Sequence, residues 1–215
     1  MIGAPQEIEC KRNPRIKIKA LKGHFAMTNS HANYYIDIID IKHNQAQAQR
    51  AAEVIAQDFS YQSVVDTIFC MDGSNIIGAY LAEALSKNDM YSLNRKKELY
   101  VVTPENEGTV QMIFRDNLQP HIRGKRVLIL CGNVLTGKHL SKAIECVQYY
   151  GGEVVGAAAV FSDLEEVDGV IVKHLFDPKD VPGYDACLHS ACSLCASGQR
   201  IDALANSYGY SVVSG

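Results

Sequence analysis

The amino-acid sequence predicts an α/β protein with a doubly wound, mostly parallel sheet, because apolar strands and amphipathic helices alternate along most of its length. Two segments, Val64–Met71 and Arg126–Cys131, are largely apolar runs typical of strands that are buried on both faces. Each run is followed by a segment with the apolar periodicity of a helix. After the first run, the apolar residues at helical spacing are Ile76, Ile77, Tyr80, Leu81, Ala84 and Leu85.

The other predicted elements follow the same alternation. A short strand is predicted at Tyr34–Ile39. Asn44–Phe59 is predicted to be a helix, because it is rich in good helix formers and begins with a residue that can cap it. A further helix is marked by Leu140, Ala143, Ile144 and Val147, and it ends at Gly151 and Gly152. The remaining strands are predicted at Leu99–Thr103, Val154–Phe161 and Gly169–Phe176.

Length and composition indicate one domain, residues 1–215, with a cysteine-containing tail at residues 177–215. The chain has 215 residues, 47% hydrophobic and 21% charged, which is enough for one substantial core. A formal net charge of −3 suggests no nucleic-acid partner. The apolar runs are too short to cross a bilayer and the N-terminus does not resemble a signal peptide, so we expect a cytoplasmic protein with no membrane partner. Its seven cysteines are then expected to be free thiols or metal ligands.

The most informative stretch is a strand, a turn and a helix at Leu128–Leu140, LILCGNVLTGKHL. Such a junction presents backbone N–H groups and the positive end of a helix, which together favour phosphate binding. In a parallel sheet, ligands bind at the carboxyl ends of the strands. Asp72–Ser74 and Cys131–His139 follow two predicted strands, so we expect both segments at the same edge of the sheet.

Four segments resemble, in order, parts of a known enzyme family. Val127–Leu140 is similar to the phosphoribosyl diphosphate motif of type I phosphoribosyltransferases, and Gly23–Asp37 resembles the N-terminal substrate region of orotate phosphoribosyltransferases. IFCMDGSNIIGAYLAEAL is similar to the family's pyrophosphate loop and following helix, and ELYVVTPENEGT stands where the family has its mobile catalytic loop. The match covers roughly residues 15 to 175. The resemblance implies the type I phosphoribosyltransferase fold and a homodimer.

The resemblance also implies roles for individual residues. One loop would hold the 5-phosphate of ribose, a second the pyrophosphate, and the N-terminal region, residues 1–43, would hold the base. The implied residues are Leu135, Thr136, Gly137, Lys138 and His139 for the phosphate, Asp72, Gly73 and Ser74 for the pyrophosphate, and His31, Tyr34 and Tyr35 for the base. Two alternatives stay open: the phosphate loop is only a strand-to-helix connection, or the tyrosines pack in the core or at a subunit interface.

Cys131 and Gly132 stand where the family has two acidic residues that hold the ribose hydroxyl groups. Neither a thiol nor a hydrogen atom supplies that negative charge, and the loss of one such contact costs on the order of 2.7–4 kcal/mol. We interpret Cys131 as a buried thiol at the end of a strand rather than as a reactive one.

The segment that resembles the catalytic loop also lacks charged groups that the family uses. Where the family offers cations to the diphosphate, this chain has two glutamates, which would repel a leaving pyrophosphate. The residues are Val102, Thr103, Pro104, Glu105, Asn106, Glu107 and Gly108. The alternative is that Arg95, Lys96 and Lys97 supply the cations.

Three functions stay open at this point. The leading hypothesis is a protein that binds a phosphoribosyl or nucleotide ligand, with transfer weak or lost. The second is an active transferase that uses Mg²⁺ to make a nucleoside monophosphate from phosphoribosyl diphosphate and a base such as orotate. The third is nucleotide binding through Gly132–His139, GNVLTGKH, which nearly fits a P-loop with Lys138 as its lysine and Asp163 as a second acidic motif. His139 replaces the hydroxyl of that motif.

The tail carries a separate signal for metal binding. Cys187, Cys192 and Cys195 have the spacing C-x4-C-x2-C, with His189 between them and His174 upstream. A C-x2-C pair can hold zinc, and a third thiolate or a histidine would help to complete the tetrahedron. We favour small buried cysteines in a loop over this zinc site, because the four-ligand spacing is not met.

Overall fold

The computed structural model describes residues 2–28, 30–87, 91–106 and 112–213. Its strands form two six-stranded sheets and one two-stranded sheet. In chain order the strands are β1 Gln6–Cys10, β2 Asn13–Ala26, β3 His31–Asp37, β4 Thr67–Cys70, β5 Tyr100–Val102, β6 Glu105–Asn106, β7 Met112–Ile113, β8 Arg126–Val134, β9 Glu153–Ser162, β10 Glu166–Val167, β11 Val170–Phe176, β12 Ala186–Cys187, β13 Ala203–Asn206 and β14 Gly209–Val212. The α-helices are α1 Ile39–His43, α2 Gln45–Ala56, α3 Asn75–Ser86, α4 Lys138–Tyr149 and α5 Ser193–Ala196. Among these residues, no helix combines the length and the apolar character needed to span a membrane.

The central sheet has the strand order β10-β11-β9-β8-β4-β5, and its pairs are parallel except for β10 with β11. Alternate residues of β8 point to opposite faces. Leu128 and Leu130 pack in the cluster that contains α2 and α3, whereas Val127 and Ile129 pack in the cluster that contains α4. Helices therefore cover both faces, and the predicted doubly wound, mostly parallel sheet is confirmed.

Local side-chain contacts set several element boundaries. Asn44 caps α2, because its Oδ1 accepts hydrogen bonds from the Ala46 and Gln47 backbone N–H groups at 3.0 and 3.2 Å. The strand predicted at Tyr34–Ile39 ends earlier, since Asp37 Oδ1 accepts from the Ile39 N–H at 2.9 Å and α1 begins there. Conversely, β8 is longer than predicted, because its last residues pair with the end of β9.

The N-terminal region and the C-terminal tail together form the second sheet. Its order is β12-β3-β2-β13-β14, and β1 also pairs with β2. β13 runs parallel to β2, with Ala203 opposite Phe25. The sequence analysis did not predict β2 or the tail strands. Because β13 and β14 lie beside β2, the tail is held next to the N-terminal region, and both contribute to the pocket described below.

Asp66 connects strands β4 and β8 at the amino ends of the central sheet. Its carboxylate accepts hydrogen bonds from Arg126 Nε at 2.8 Å and Nη2 at 3.0 Å, and from Lys97 Nζ at 2.7 Å. The Arg126 hydrogen bond is the main reason that the pKa of Asp66 lies well below its usual range; burial opposes it and Lys97 adds to it. Lys97, one of the cations considered for the catalytic loop, is thus engaged at the sheet edge remote from Asp72–Ser74.

We expect Asp66→Asn to lower the melting temperature by about 2–4 °C near pH 7, the effect of losing about 1 kcal/mol in a chain of this size. A carboxyl whose folded-state pKa is depressed contributes stability that is present above its unfolded pKa and is lost as the pH falls through the folded value. The difference between wild type and variant should therefore shrink below about pH 4.

Thermal denaturation at neutral and acidic pH measures this difference. Asp40→Asn is the matched control, because Asp40 pairs with Lys19 on the surface at 2.8 Å and is 58% exposed. Its effect should be much smaller. A difference for Asp66→Asn that does not change with pH would contradict the account.

Candidate functional site

The turn that joins β8 to α4 requires glycine at its last position. Gly137 has a φ of 73°, and a Cβ atom there would lie 3.0 Å from Leu164 Cδ1 and 3.1 Å from Val167 Cγ2. The Gly137 carbonyl accepts a hydrogen bond from the Ser141 N–H at 2.8 Å, so the helix begins directly after the turn. The first backbone amides of α4 therefore follow this turn at the positive end of the helix.

A pocket of about 180 Å³ lies at the carboxyl ends of β4 and β8. Thr136, Gly137 and His139 of the predicted phosphate loop line it, and so do Tyr34 and Tyr35 of β3. The pocket thus brings the loop and two consecutive tyrosines of β3, which pack in different clusters, around one space. Further lining residues are Asp72, Cys131, Asn133, Leu135, Tyr184, Asn206 and Ser207.

The two positions that lack acidic residues are closely packed. Cys131 is 2% exposed, in the apolar cluster on the α4 side. Burial raises the pKa of its thiol, and the charge of Asp72 adds to this effect, so it is a buried, protonated thiol as the sequence analysis favoured. A Cβ atom at Gly132 would lie 3.1 Å from Ile38 Cδ1 and 3.5 Å from Asp72 Cβ. Ile38 therefore partly fills the space that a carboxylate would need at Gly132.

Asp72 brings a carboxylate to this part of the pocket, next to Lys42. Burial raises the pKa of Asp72, and the charges of His139 and Lys42 oppose that rise. Burial also lowers the pKa of Lys42, which the charge of Asp72 opposes. Lys42 is 1% exposed, and its Nζ donates a hydrogen bond to the Ser207 carbonyl at 2.8 Å. Each charge therefore offsets only part of the cost of burying the other.

Lys42 and Ser207 were not predicted as site residues from the sequence. Lys42 lies in the short helix α1 and Ser207 in the turn between β13 and β14. Neither belongs to a recognisable motif. Their contact joins residues that are far apart in sequence, so only the folded tail brings them together.

Two predicted ligand residues, Ser74 and Lys138, do not line the pocket. Ser74 is buried, and its Oγ donates a hydrogen bond to the Leu130 carbonyl at 3.0 Å. Lys138 lines a groove on the outer side of α4, together with Ser141 and Glu145. This position does not favour the P-loop interpretation, since the lysine of that motif contacts the phosphates. In addition, Gly132 lies within β8 rather than in a loop.

Asn133 and Asp163 each have a buried Oδ1 atom with no hydrogen-bond partner in the part of the chain that the structure describes. Burial raises the pKa of Asp163 to about 7, although the Tyr184 hydroxyl donates to its other oxygen at 3.4 Å. Asn133 and Tyr184 both line the pocket. A buried acceptor without a partner is costly, and Asn133 is the residue of this pair that belongs to the pocket wall.

The three predicted base-binding residues are separated by the fold. Tyr34 and Tyr35 line the pocket, and Tyr35 also packs against Tyr210, with ring centroids 5.0 Å apart. Burial raises the pKa of Tyr35 to about 12, so its hydroxyl stays protonated. His31 instead faces His24, with its Nδ1 3.1 Å from His24 Nε2.

The segment that resembles the catalytic loop contains β5 and β6, and β6 pairs antiparallel with β7. Arg115 Nε donates a hydrogen bond to Glu105 Oε2 at 2.6 Å, and this contact lowers the pKa of Glu105. Part of the negative charge predicted for this loop is therefore paired with a cation that the sequence analysis did not consider. Glu107 and Gly108 lie outside the described residues.

A cluster of cysteines and histidines lies where the tail meets the second sheet. It consists of His24, His31, Cys192 and Cys195, so it contains two of the three tail cysteines that were considered as ligands from the sequence. His174, considered as an upstream ligand, lies in β11 of the central sheet. The two histidines of the cluster come from β2 and β3, more than a hundred residues earlier, and sequence spacing alone did not reveal them.

The sequence of this chain is similar to those of known enzymes. No protein-family model matches the chain. It is 26% identical over 192 residues to the orotate phosphoribosyltransferase of Campylobacter curvus, with 84% of this chain and 89% of that protein covered. It is 25% identical over 185 residues to that of Thermus thermophilus, with 85% and 92% covered.

Solved structures show the same fold. The orotate phosphoribosyltransferase of Mycobacterium tuberculosis in complex with Fe(III) dicitrate is similar with a TM-score of 0.50 and 18% identity, over 71% of this chain and 85% of that chain. The adenine phosphoribosyltransferase of Thermoanaerobacter pseudethanolicus is similar with a TM-score of 0.51 and 17% identity, over 80% and 95%. The chain therefore has the type I phosphoribosyltransferase fold, and its sequence resembles the orotate phosphoribosyltransferases.

Proposed function

We propose that this chain binds a phosphorylated ribose compound, such as a nucleoside monophosphate, and transfers phosphoribosyl groups weakly or not at all. The observation that carries the proposal is the pocket that Thr136, Gly137 and His139 share with Tyr34 and Tyr35. Backbone amides at a helix start suit a phosphate, and aromatic rings suit a flat base. The family resemblance supports the same kind of ligand.

Asn133 supports binding of the ribose between these two parts. Its unpartnered Oδ1 follows directly after the two positions that lack acidic residues. An amide oxygen accepts a hydrogen bond from a ribose hydroxyl group but carries no net charge. We infer that it replaces the contact to the hydroxyl without replacing the electrostatic stabilisation of a positive ribosyl transition state.

Few groups are left to bind the leaving pyrophosphate. The Ser74 hydroxyl is engaged with β8, and in the segment that offers cations in the family Arg115 is paired with Glu105. Pyrophosphate carries several negative charges, and a cation that is already paired with a carboxylate stabilises them less. These features concern the diphosphate alone, so they support a site that keeps the monophosphate ligand and loses the transfer step.

An active transferase is the second candidate, and Asp72 is the observation that favours it. Of the described residues that line the pocket, Asp72 alone carries a carboxylate. A single carboxylate next to the buried Lys42 is a poor donor set for Mg²⁺, which prefers several oxygen ligands and no neighbouring ammonium. The residues therefore do not fit a magnesium ion by themselves.

Calorimetric titration with orotidine 5′-monophosphate, ribose 5-phosphate and orotidine tests the proposal. The two phosphorylated compounds should bind, and the nucleoside should bind at least about tenfold more weakly, since a charge-assisted hydrogen bond contributes about 1.5–3 kcal/mol. Thr136→Val should weaken phosphate binding about threefold to tenfold. Ser141→Ala is the matched control, because its hydroxyl lies on the same helix but contacts Asp168 outside the pocket. Equal affinities for nucleotide and nucleoside would overturn the proposal.

The oligomeric state is proposed from the family resemblance alone. We propose a homodimer on this basis, as expected from the orotate phosphoribosyltransferases.

A further inference from the structure

Four potential metal ligands converge where the tail meets the second sheet. His24 of β2, His31 of β3, Cys192 and Cys195 each offer one ligand atom, and these atoms all lie within 4.8 Å of one another. Both histidines and Cys192 are buried. We propose that these four residues bind one zinc ion, which fastens the tail to the N-terminal region. This inference does not depend on the proposed function of the pocket.

The distances between the ligand atoms match a tetrahedral zinc site. With Zn–N bonds of about 2.0–2.1 Å and Zn–S bonds of about 2.3 Å, two nitrogens lie about 3.3 Å apart and a nitrogen lies about 3.6 Å from a sulfur. His24 Nε2 lies 3.1 Å from His31 Nδ1 and 3.5 Å from Cys192 Sγ. Cys195 Sγ lies 3.6 Å from His24 Nε2 and 3.3 Å from His31 Nδ1. Small shifts would therefore suffice to hold the ion.

The surroundings of His24 orient its ring for metal binding. Its Nδ1 lies 3.0 Å from the Gln199 carbonyl and 3.2 Å from the Arg200 carbonyl. Carbonyl oxygens only accept, so the proton of the neutral ring belongs on Nδ1 and the lone pair of Nε2 points into the cluster. Metal-bound histidines commonly donate their other ring nitrogen to a carbonyl in this way. The Asp202 carboxylate also accepts the His24 backbone N–H at 2.9 Å.

The site is structural rather than catalytic. Four protein ligands fill a tetrahedron and leave no position for water or substrate. Cys187 is a neighbour rather than a ligand, since its sulfur does not belong to the four ligand atoms that all lie within 4.8 Å of one another. The tail that the ion would fasten continues into β13 and β14 and supplies Asn206 and Ser207 to the pocket wall.

Zinc analysis of the full chain, purified with zinc and a reductant and then dialysed, tests the assignment. Wild type should hold about one zinc ion per chain, and Cys192→Ser/Cys195→Ser should hold less than about a tenth of that. Cys146→Ser and His189→Gln are matched controls that should keep the ion, because Cys146 lies in another cluster and His189 lies outside the four ligands. Loss of zinc in Cys187→Ser would overturn this ligand set.

Two measurements on wild type keep the test valid if the double variant fails to fold. Replacement of zinc by Co²⁺ should give the visible spectrum of a tetrahedral site with thiolate ligands. Removal of the ion with a chelator should lower the melting temperature by about 5–10 °C, and added zinc should restore it. If wild type holds no stoichiometric zinc and gives no such cobalt spectrum, the cluster is held by hydrogen bonds only. That result would overturn the proposal.

Discussion

With phosphoribosyl diphosphate, Mg²⁺ and orotate, the purified protein is expected to release pyrophosphate at least about 10⁴-fold more slowly than an orotate phosphoribosyltransferase, since each of two lost electrostatic contacts costs about 10²-fold or more. Cys131 and Gly132 stand at the positions concerned, and the only described carboxylate that lines the pocket is that of Asp72, which is buried beside Lys42. A pyrophosphate-release assay beside the Campylobacter curvus enzyme measures the ratio. A rate within about tenfold of that enzyme would contradict the proposal and favour the active transferase.

The structure also shows how to restore a carboxylate. Gly132→Asp alone would press its Cβ against Ile38 Cδ1, at 3.1 Å, so Ile38→Val should accompany it. Cys131→Asp is a poorer choice, because it would bury a charge in the apolar cluster beside α4. We expect Ile38→Val/Gly132→Asp to raise the rate about tenfold to a hundredfold, with Ile38→Val alone as the control. An unchanged rate would show that position 132 does not limit transfer.

Gly137→Val is expected to weaken the binding of orotidine 5′-monophosphate by about a hundredfold, the effect of losing one or two charge-assisted hydrogen bonds. The new side chain would need a φ near 73° and would meet Leu164 and Val167. The turn must then move, and the amides at the start of α4 lose their positions. Titration calorimetry measures the affinity, and thermal denaturation shows whether the variant is folded.

Gly124→Val separates backbone strain from damage to the site. Gly124 has a φ of 66°, and a Cβ atom there would have no neighbour within 4 Å. Gly124→Val should lose about 1–2 kcal/mol of stability, the cost of a left-handed backbone at a non-glycine residue, as Gly137→Val does. Its affinity for orotidine 5′-monophosphate should stay that of wild type. If both variants bind the nucleotide as wild type does, the loop is not the phosphate site.

The elements that could be predicted from the sequence have strong local patterns. α2 has a capping residue and helix formers, and β8 is apolar on both faces, so both were found. β2 also has the alternating pattern of a strand, because the buried Ile16 and Ile18 alternate with the more exposed Lys17 and Lys19, but this strand was not predicted. The tail strands are short, and β13 gains its place by pairing with β2, almost 180 residues earlier in sequence.

The candidate site also has parts that a local sequence pattern predicts and parts that depend on long-range contacts. The loop at Thr136–His139 is a local feature, and its turn and helix follow from Gly137. The contact of Lys42 with Ser207 and the meeting of His24 with Cys192 depend on how the tail packs against the N-terminal region. No local pattern encodes such contacts, so the sequence suggested zinc from the cysteine spacing alone and gave an incomplete ligand set.

The most direct test of the account reads the nucleotide titration at individual backbone amides by NMR. Orotidine 5′-monophosphate and ribose 5-phosphate should both shift the amide signals of Thr136, Gly137, Lys138 and His139, and the nucleotide alone should also shift those of Tyr34 and Tyr35. Orotidine without its phosphate should leave the loop signals nearly unchanged. Saturable binding of the nucleotide with no change at residues 136–139 would contradict the central claim.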